Sequence, residues 1–284
     1  MKKIVFILSV FVFLISSQRI SYSQNNLGKQ PLDGVYNKYN STNREPIPYT
    51  SLREADVMWS KRIWRVIDMR QKINLPFYYP TDEQKGRKSL MQILYKGIQE
   101  NTITAYSTGD EEFQTKMTPA ELTKQLNKTD TMKLTRTYEP YEEYDTIINQ
   151  PFNTGDITLI RVKEDWFFDK QRSVMDVRII GLCPIKEERD ENDEFKGYRQ
   201  LFWVYFPECR KLFANNEVYN RWNDAERRTY EDIFFKRLFG SYIYKESNVY
   251  DRKIGQYAKG MDGLLEAERV KQQLFEIEHD LWEY

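Results

Sequence analysis

The sequence predicts an α+β fold, an antiparallel sheet packed with several helices and preceded by an extended N-terminal arm. Three observations predict it: helical periodicity and capping signals before residue 130, β-branched and aromatic alternation over residues 157–206, and helical patterning again beyond it. Helices grouped apart from strands do not read as alternating βαβ units. A chain of 284 residues with 20 Tyr, 16 Phe and 6 Trp also has ample material for a core and for partner contacts.

Residues 1–23 read as an address. Lys2 and Lys3 precede an apolar run from Ile4 to Ile15 broken only by Ser9, and Ser21-Tyr22-Ser23 is an approximate small-x-small site, so cleavage is expected before Gln24. The run is too short for an ordinary bilayer span, and no cysteine follows it to carry a lipid. Residues 24–50 lack a sustained period and contain Pro31, Pro46 and Pro48, which favour extended backbone. This segment is an arm, with a disordered tail and an arm docked on a neighbour as its two alternatives.

Residues 51–284 form the globular region, with a sub-boundary near 130–150. Its first element is expected to be a helix over LREADVMWSKRIWRVIDMR, residues 52–70, with Thr50 or Ser51 able to cap it. At about 100° per residue, Leu52, Ala55, Trp59, Ile63, Val66 and Ile67 gather on one side as a core stripe. Val57 and Trp64 fall on the other side, near Glu54, Lys61 and Asp68, and need a second neighbour, either within the chain or outside it. Asn74-Leu75-Pro76 ends the run, and Phe77 to Pro80 is expected to be extended.

A helix over 82–100 follows, with Leu90, Ile93, Leu94 and Ile98 on one side, then a short strand over Asn101 to Tyr106. Thr118-Pro119-Ala120-Glu121 is a capping box with proline in the first turn, opening a helix through Leu126. Strands are expected at Ile157 to Val162, Val174 to Leu182 and Arg199 to Phe206, the last two joined by the charged loop Lys186 to Glu194. Helices return at Pro207 to Ala214 and at 224–238, the second capped by Asn223 with Glu226 three residues on. A strand at Tyr242 to Tyr244 and a helix from Gly263 to Trp282 end the chain. That helix carries a wide apolar face of Leu264, Ala267, Val270, Leu274, Phe275, Ile277, Leu281 and Trp282.

Loss of residues 1–23 leaves 40 basic against 43 acidic residues, a net charge near −3. Such a balance supplies no concentrated positive surface for nucleic acid. Cys183 and Cys209 are the only cysteines, and an oxidising compartment would permit a disulfide; a hairpin of 174–183 with 199–206 instead sets Cys183 opposite about residue 198, far from Cys209, so two buried thiols are the expectation and a disulfide the alternative. His279 is the only histidine, which leaves no histidine-based metal site, Ser-His-Asp triad or Cys-His pair. Asp190, Asn192 and Glu194 alternate as in an EF-hand loop, but Phe195 and Leu201 stand where glycine and a bidentate glutamate are required. Gly255, Gly260 and Gly263 have the wrong spacing for a phosphate loop. No enzyme and no cofactor are expected; carboxylate pairs for glycoside hydrolysis are permitted by composition, not indicated by it. Exposed Tyr and Trp also suit a periplasmic glycan- or cell-wall-binding module, which is the alternative function.

The run Arg44-Glu45-Pro46-Ile47-Pro48-Tyr49, then Leu52 to Trp59, Trp64-Arg65-Val66-Ile67-Asp68, Asn74-Leu75-Pro76 and Tyr79-Pro80, resembles the gliding motility protein family GldN, also called PorN. The resemblance is dense over 44–80, continues through the sheet, and is weakest beyond 250. It implies a non-enzymatic periplasmic subunit of the type IX secretion system at the inner face of the outer membrane. The implied partners are the outer-membrane lipoprotein GldK or PorK, further copies of the subunit in a ring, and the inner-membrane motor proteins GldL and GldM. Pro46, Pro48 and Tyr49 of the arm, with Val57, Lys61, Trp64 and Asp68, are the candidate interaction residues.

Overall fold

An antiparallel sheet of eight strands organises the chain. The computed structural model describes residues 43–281 apart from 85, 110, 136–142, 151 and 190–193. In chain order the strands are β1 (Val57–Asp68), β2 (Ala105–Tyr106), β3 (Lys116–Met117), β4 (Lys128–Thr135), β5 (Glu143–Gln150) and β6 (Ile157–Asp169). They continue with β7 (Val174–Arg189), β8 (Phe195–Gln200), β9 (Trp203–Tyr205), β10 (Glu217–Val218), β11 (Arg228–Thr229) and β12 (Tyr242–Glu246). The helices are α1 (Leu75–Tyr78), α2 (Leu90–Gln99), α3 (Pro119–Leu126), α4 (Phe206–Ala214), α5 (Tyr230–Phe235), α6 (Ile254–Tyr257) and α7 (Met261–Asp280). The sheet runs β12-β1-β6-β7-β9-β2-β3, with β8 also on β7, while β4–β5 and β10–β11 are separate hairpins.

The stretch expected as a helix over 52–70 is instead a turn of 3-10 helix at Glu54–Asp56 followed by the twelve-residue strand β1. Trp59, Ile63 and Ile67 are four residues apart, which fits one helical turn and two strand repeats equally well. Neighbours decide between them. One edge of β1 pairs with β6 from Val57↔Asp169 to Asp68↔Leu159, and the other pairs with β12 over Ile63–Val66. The segment therefore has two apolar faces as an inner strand, but not the expected grouping: Val66, expected beside Ile63, lies on the reverse face with Trp64, because strand parity separates residues 63 and 66. Ile63 and Ile67 face the helices, whereas Trp64 and Val66 belong to small clusters on the reverse face. Thr50 and Ser51 cap nothing; the Thr50 carbonyl accepts from Arg178 at 2.6 Å and its hydroxyl from Arg172 at 2.8 Å.

Other elements differ at their ends. Of the stretch expected as extended, Phe77 and Tyr78 belong to a helical turn over Leu75–Tyr78, with Pro76 in its first turn where a missing N–H costs nothing, and Tyr79 is extended as expected. The helix expected from 82 begins at Leu90, where Ser89 and Gln92 form a reciprocal capping box. The strand expected over 101–106 is the two-residue β2. Asn223 caps no helix: its side chain accepts from Ala225 N, and Thr229 with Asp232 caps the shorter α5. The charged stretch 186–194 lies partly in β7, which continues to Arg189, and residues 190–193 are outside the described set. The box at Thr118 opens α3 over Pro119–Leu126 as its sequence requires.

Helices α1 to α5 cover one face of the sheet. Phe77, Phe206, Phe213, Tyr230 and Phe234 are fully buried there, with ring centroids 5.3 to 6.3 Å apart. Beside them, α6 and α7 bury Ile254, Ala267, Val270 and Leu274 against Ile63 and Ile243. On the reverse face Trp64, Tyr106, Cys183 and Trp203 form a separate cluster closed by Phe113. Gly181 permits this closure, since a Cβ there would lie 2.5 Å from Phe113 Cζ.

Candidate interaction surfaces

The described end of the arm, residues 43–50, docks on its own chain. Arg44 N donates to Asn215 Oδ1 at 2.8 Å, Arg210 donates to the Ile47 carbonyl at 2.5 Å, and the Tyr49 ring lies against two guanidinium groups, Arg210 at 3.9 Å and Arg178 at 5.1 Å. Pro46 and Pro48 hold this stretch in extended backbone, which makes no internal hydrogen bonds and so leaves the Ile47 carbonyl open to Arg210. Arg210 is itself buried and paired with buried Glu231. Burial pushes the Glu231 carboxyl up against the opposing pull of Arg210. Pro46 and Tyr49 are half-buried and Pro48 is exposed.

The four candidate residues on β1 do not form one patch. Lys61 reaches Glu246 at 2.6 Å, Asp68 is held by Arg70 at 2.9 Å, and Val57 is half-buried. Residue parity sets Lys61 on the opposite side of the strand from Trp64 and Asp68. Trp64 is only 6% exposed, packed with Tyr106, Cys183 and Trp203 beneath the Lys245 ammonium, 4.4 Å from its ring. Its indole is thus covered from within the chain.

A charged node that sequence reasoning missed lies on the helix side of the same strands. Glu164 is fully buried and accepts from Arg65 Nε at 3.2 Å, Trp166 Nε1 at 3.0 Å and Arg237 Nη2 at 2.9 Å. Register shifts occur at Lys163/Glu164 and Trp64/Arg65, so both charged residues sit at irregularities of the ladders. Burial lowers the Arg65 pKa, partly offset by Glu164.

A cleft of about 890 Å³ lies between the α1 region and the β10–β11 hairpin. Phe77 and Ile233 form its buried floor, and Tyr79, Tyr219 and Trp222 stand exposed around it, Trp222 at 79%. Among the described residues its lining includes Lys72, Arg87, Arg221 and Arg228 and no acidic residue. Arg228 is tied to Glu226 at 2.9 Å. Among the described residues no carboxylate pairs with Lys72, Arg87 or Arg221; Arg87 lies over Tyr219 at 5.5 Å and Arg221 over Trp222 at 4.9 Å. An aromatic, cationic concavity of this size suits a partner segment or small ligand. The Tyr219-Asn220-Arg221-Trp222-Asn223 run carried the local signal, a Trp and Arg in a polar turn where core burial is not expected.

The last helix departs from its expected face. Ala267, Val270 and Leu274 are buried, but Leu264, Leu265 and Phe275 remain 59 to 63% exposed, and Trp282 lies outside the described residues. One apolar stripe of α7 is covered, and Leu264, Leu265 and Phe275 stand exposed outside it, with Glu268, Lys271 and Gln272 between them.

Both cysteines are buried and free, in different clusters. Leu182 pairs with Val204, so Cys183 lies beside the start of β9 and not opposite residue 198 as expected. His279 is exposed and packs on Phe275. Among the described residues, no group of three or more His, Cys, Asp or Glu is arranged to hold a metal ion, and no helix is long and apolar enough to cross a membrane.

The family model described as gliding motility associated protein GldN matches residues 52–283, which takes in every helix and sheet strand described above. No curated protein matches the chain.

Proposed function

Since this chain belongs to the GldN family and is thereby a gliding motility and type IX secretion component, we propose that it acts as a non-enzymatic assembly subunit in the periplasm. Residues 1–23 direct export and are removed, and residues 24–50 serve as an arm. The subunit associates with the outer-membrane lipoprotein GldK or PorK in a ring on the inner face of the outer membrane. From there it contacts the inner-membrane motor proteins GldL and GldM.

The single observation that carries this is the family match over the whole folded region. Exposed aromatic and apolar groups that the core does not use, such as Trp222, Tyr250 and Phe275, agree with a protein made for contacts. Deleting the gene should abolish gliding and export, and the intact chain supplied in trans should restore both. The chain should also copurify stoichiometrically with the lipoprotein from detergent extracts. Normal gliding and export in the deletion strain would refute the proposal.

Trp222 and Tyr219 beside the cleft also keep the glycan-binding alternative specific, since exposed rings stack on sugars. It predicts a rise in Tm with cell-wall fragments, through binding to the folded state alone. The assembly reading predicts no such rise.

A further inference from the structure

We propose that the aromatic, cationic cleft receives the acidic end of α7 from a second copy of the chain, making a head-to-tail contact. This deepens the assembly reading and rests on it for cellular meaning, while its geometry stands on this chain alone.

Two features lack an oppositely charged partner among the described residues, and they are complementary. The cleft presents Lys72, Arg87 and Arg221 without carboxylate partners among the described residues, around an apolar floor with no acidic lining. Beyond Lys271, α7 carries Glu276, Glu278 and Asp280 and no Lys or Arg, together with exposed Phe275 and partly exposed Leu281. An aromatic anchor flanked by carboxylates is the chemistry such a cleft recognises: the ring fills the apolar floor and the cations meet the rim charges. No α7 residue lines the molecule's own cleft, whereas Glu278 lines the separate concavity beside the arm. The two surfaces are thus distinct, and one copy can offer its helix while its cleft is filled. A contact between two different patches is heterologous, so it propagates from copy to copy and closes into a ring or extends as a filament. The preceding segment, residues 24–42, carries Lys29 and Lys38 against Asp33 and is a poor electrostatic match for the same cleft.

The test uses the purified chain lacking residues 1–23 in sedimentation velocity over a wide concentration range at low and high salt. Wild type should associate beyond a dimer, and added salt should weaken it. Arg87→Gln/Arg221→Gln neutralises only the cleft, and Glu276→Gln/Asp280→Asn neutralises only the helix end; each should raise the self-association Kd at least about ten-fold. All four positions are solvent-accessible, so both variants should melt like wild type. Mixed together, the two variants retain one wild-type contact, the cleft of one with the helix of the other. They should form a one-to-one complex that grows no further. A wild-type chain that stays monomeric at every concentration, variants that associate like wild type, or a mixture that fails to pair would each overturn the contact. If such a monomeric chain still supports gliding and export, the family function stands and only this contact falls.

Discussion

Replacing Glu164 with glutamine removes one charge from the most buried ionic node of the sheet. Its carboxylate is fully buried, and its partner Arg65 has a side chain only 8% exposed. Glutamine keeps an oxygen for Trp166 Nε1 but leaves Arg65 charged in a site whose burial already disfavours that charge. Breaking a buried pair by neutralising one member costs about 3–5 kcal/mol, because an uncompensated charge stays behind. Arg237 is 30% exposed and can turn to water, so its share is discounted and the lower end, about 3 kcal/mol, is expected. With a urea m value of about 3 kcal/mol/M for a chain of this size, the midpoint should fall by about 1 M. Replacing both partners, Arg65→Met with Glu164→Leu, removes the stranded charge, and the double variant should be more stable than the sum of the singles predicts by about 2 kcal/mol. Urea denaturation followed by tryptophan fluorescence measures wild type, Glu164→Gln, the singles Arg65→Met and Glu164→Leu, and the double variant. A Glu164→Gln variant within about 0.5 kcal/mol of wild type, or strictly additive singles, would refute the node as a coupled unit.

Trp64→Ala should cost about 3–5 kcal/mol by leaving a cavity beside Trp203 and Tyr106, seen as a lower Tm; unchanged stability with lost partner binding would return Trp64 to a surface role. Both thiols should resist a disulfide reagent at pH 8 in the native chain and react after unfolding, since burial pushes Cys183 up to about 12 and Cys209 higher still. Reaction of either in the folded protein at the rate of a free thiol contradicts their burial. The backbone N–H of Thr118, helped by its hydroxyl, holds the Glu121 carboxyl below its ordinary value of 4.5. A depressed carboxylate stabilises above the unfolded value and loses that contribution as pH falls through the folded one, so the start of α3 should loosen below pH 4.5. An NMR titration should find Glu121 low in the native chain and restored toward 4.5 in Thr118→Val.

Local chemistry made several elements legible. The box at Thr118-Pro119-Ala120-Glu121 satisfies its own orphan donors, so α3 needs no distant partner to be placed. The β-branched and aromatic run over 157–206 likewise specified antiparallel strands, and the match of residues 44–80 to a known family pointed to the family itself. The cleft was less legible, because its lining comes from segments more than 130 residues apart, Lys72 to Arg87 on one side and Tyr219 to Leu238 on the other. Only Trp222 beside Arg221 gave a local hint.

Residues 52–70 mark the limit of sequence alone. Their composition indicated two opposite apolar sides, and both are buried, but with Val66 moved from the Ile63 side to the Trp64 side: Ile63 and Ile67 lie under the helices, Trp64 and Val66 on the reverse face. Spacing of four residues satisfies both a helical turn and two strand repeats, so it could not say which backbone carries them. Tertiary structure decided it, because β6 and β12 offer hydrogen-bond ladders on both edges of the segment and layers on both faces. An inner strand meets all of its backbone and side-chain requirements there at once, which a helix in the same place would not.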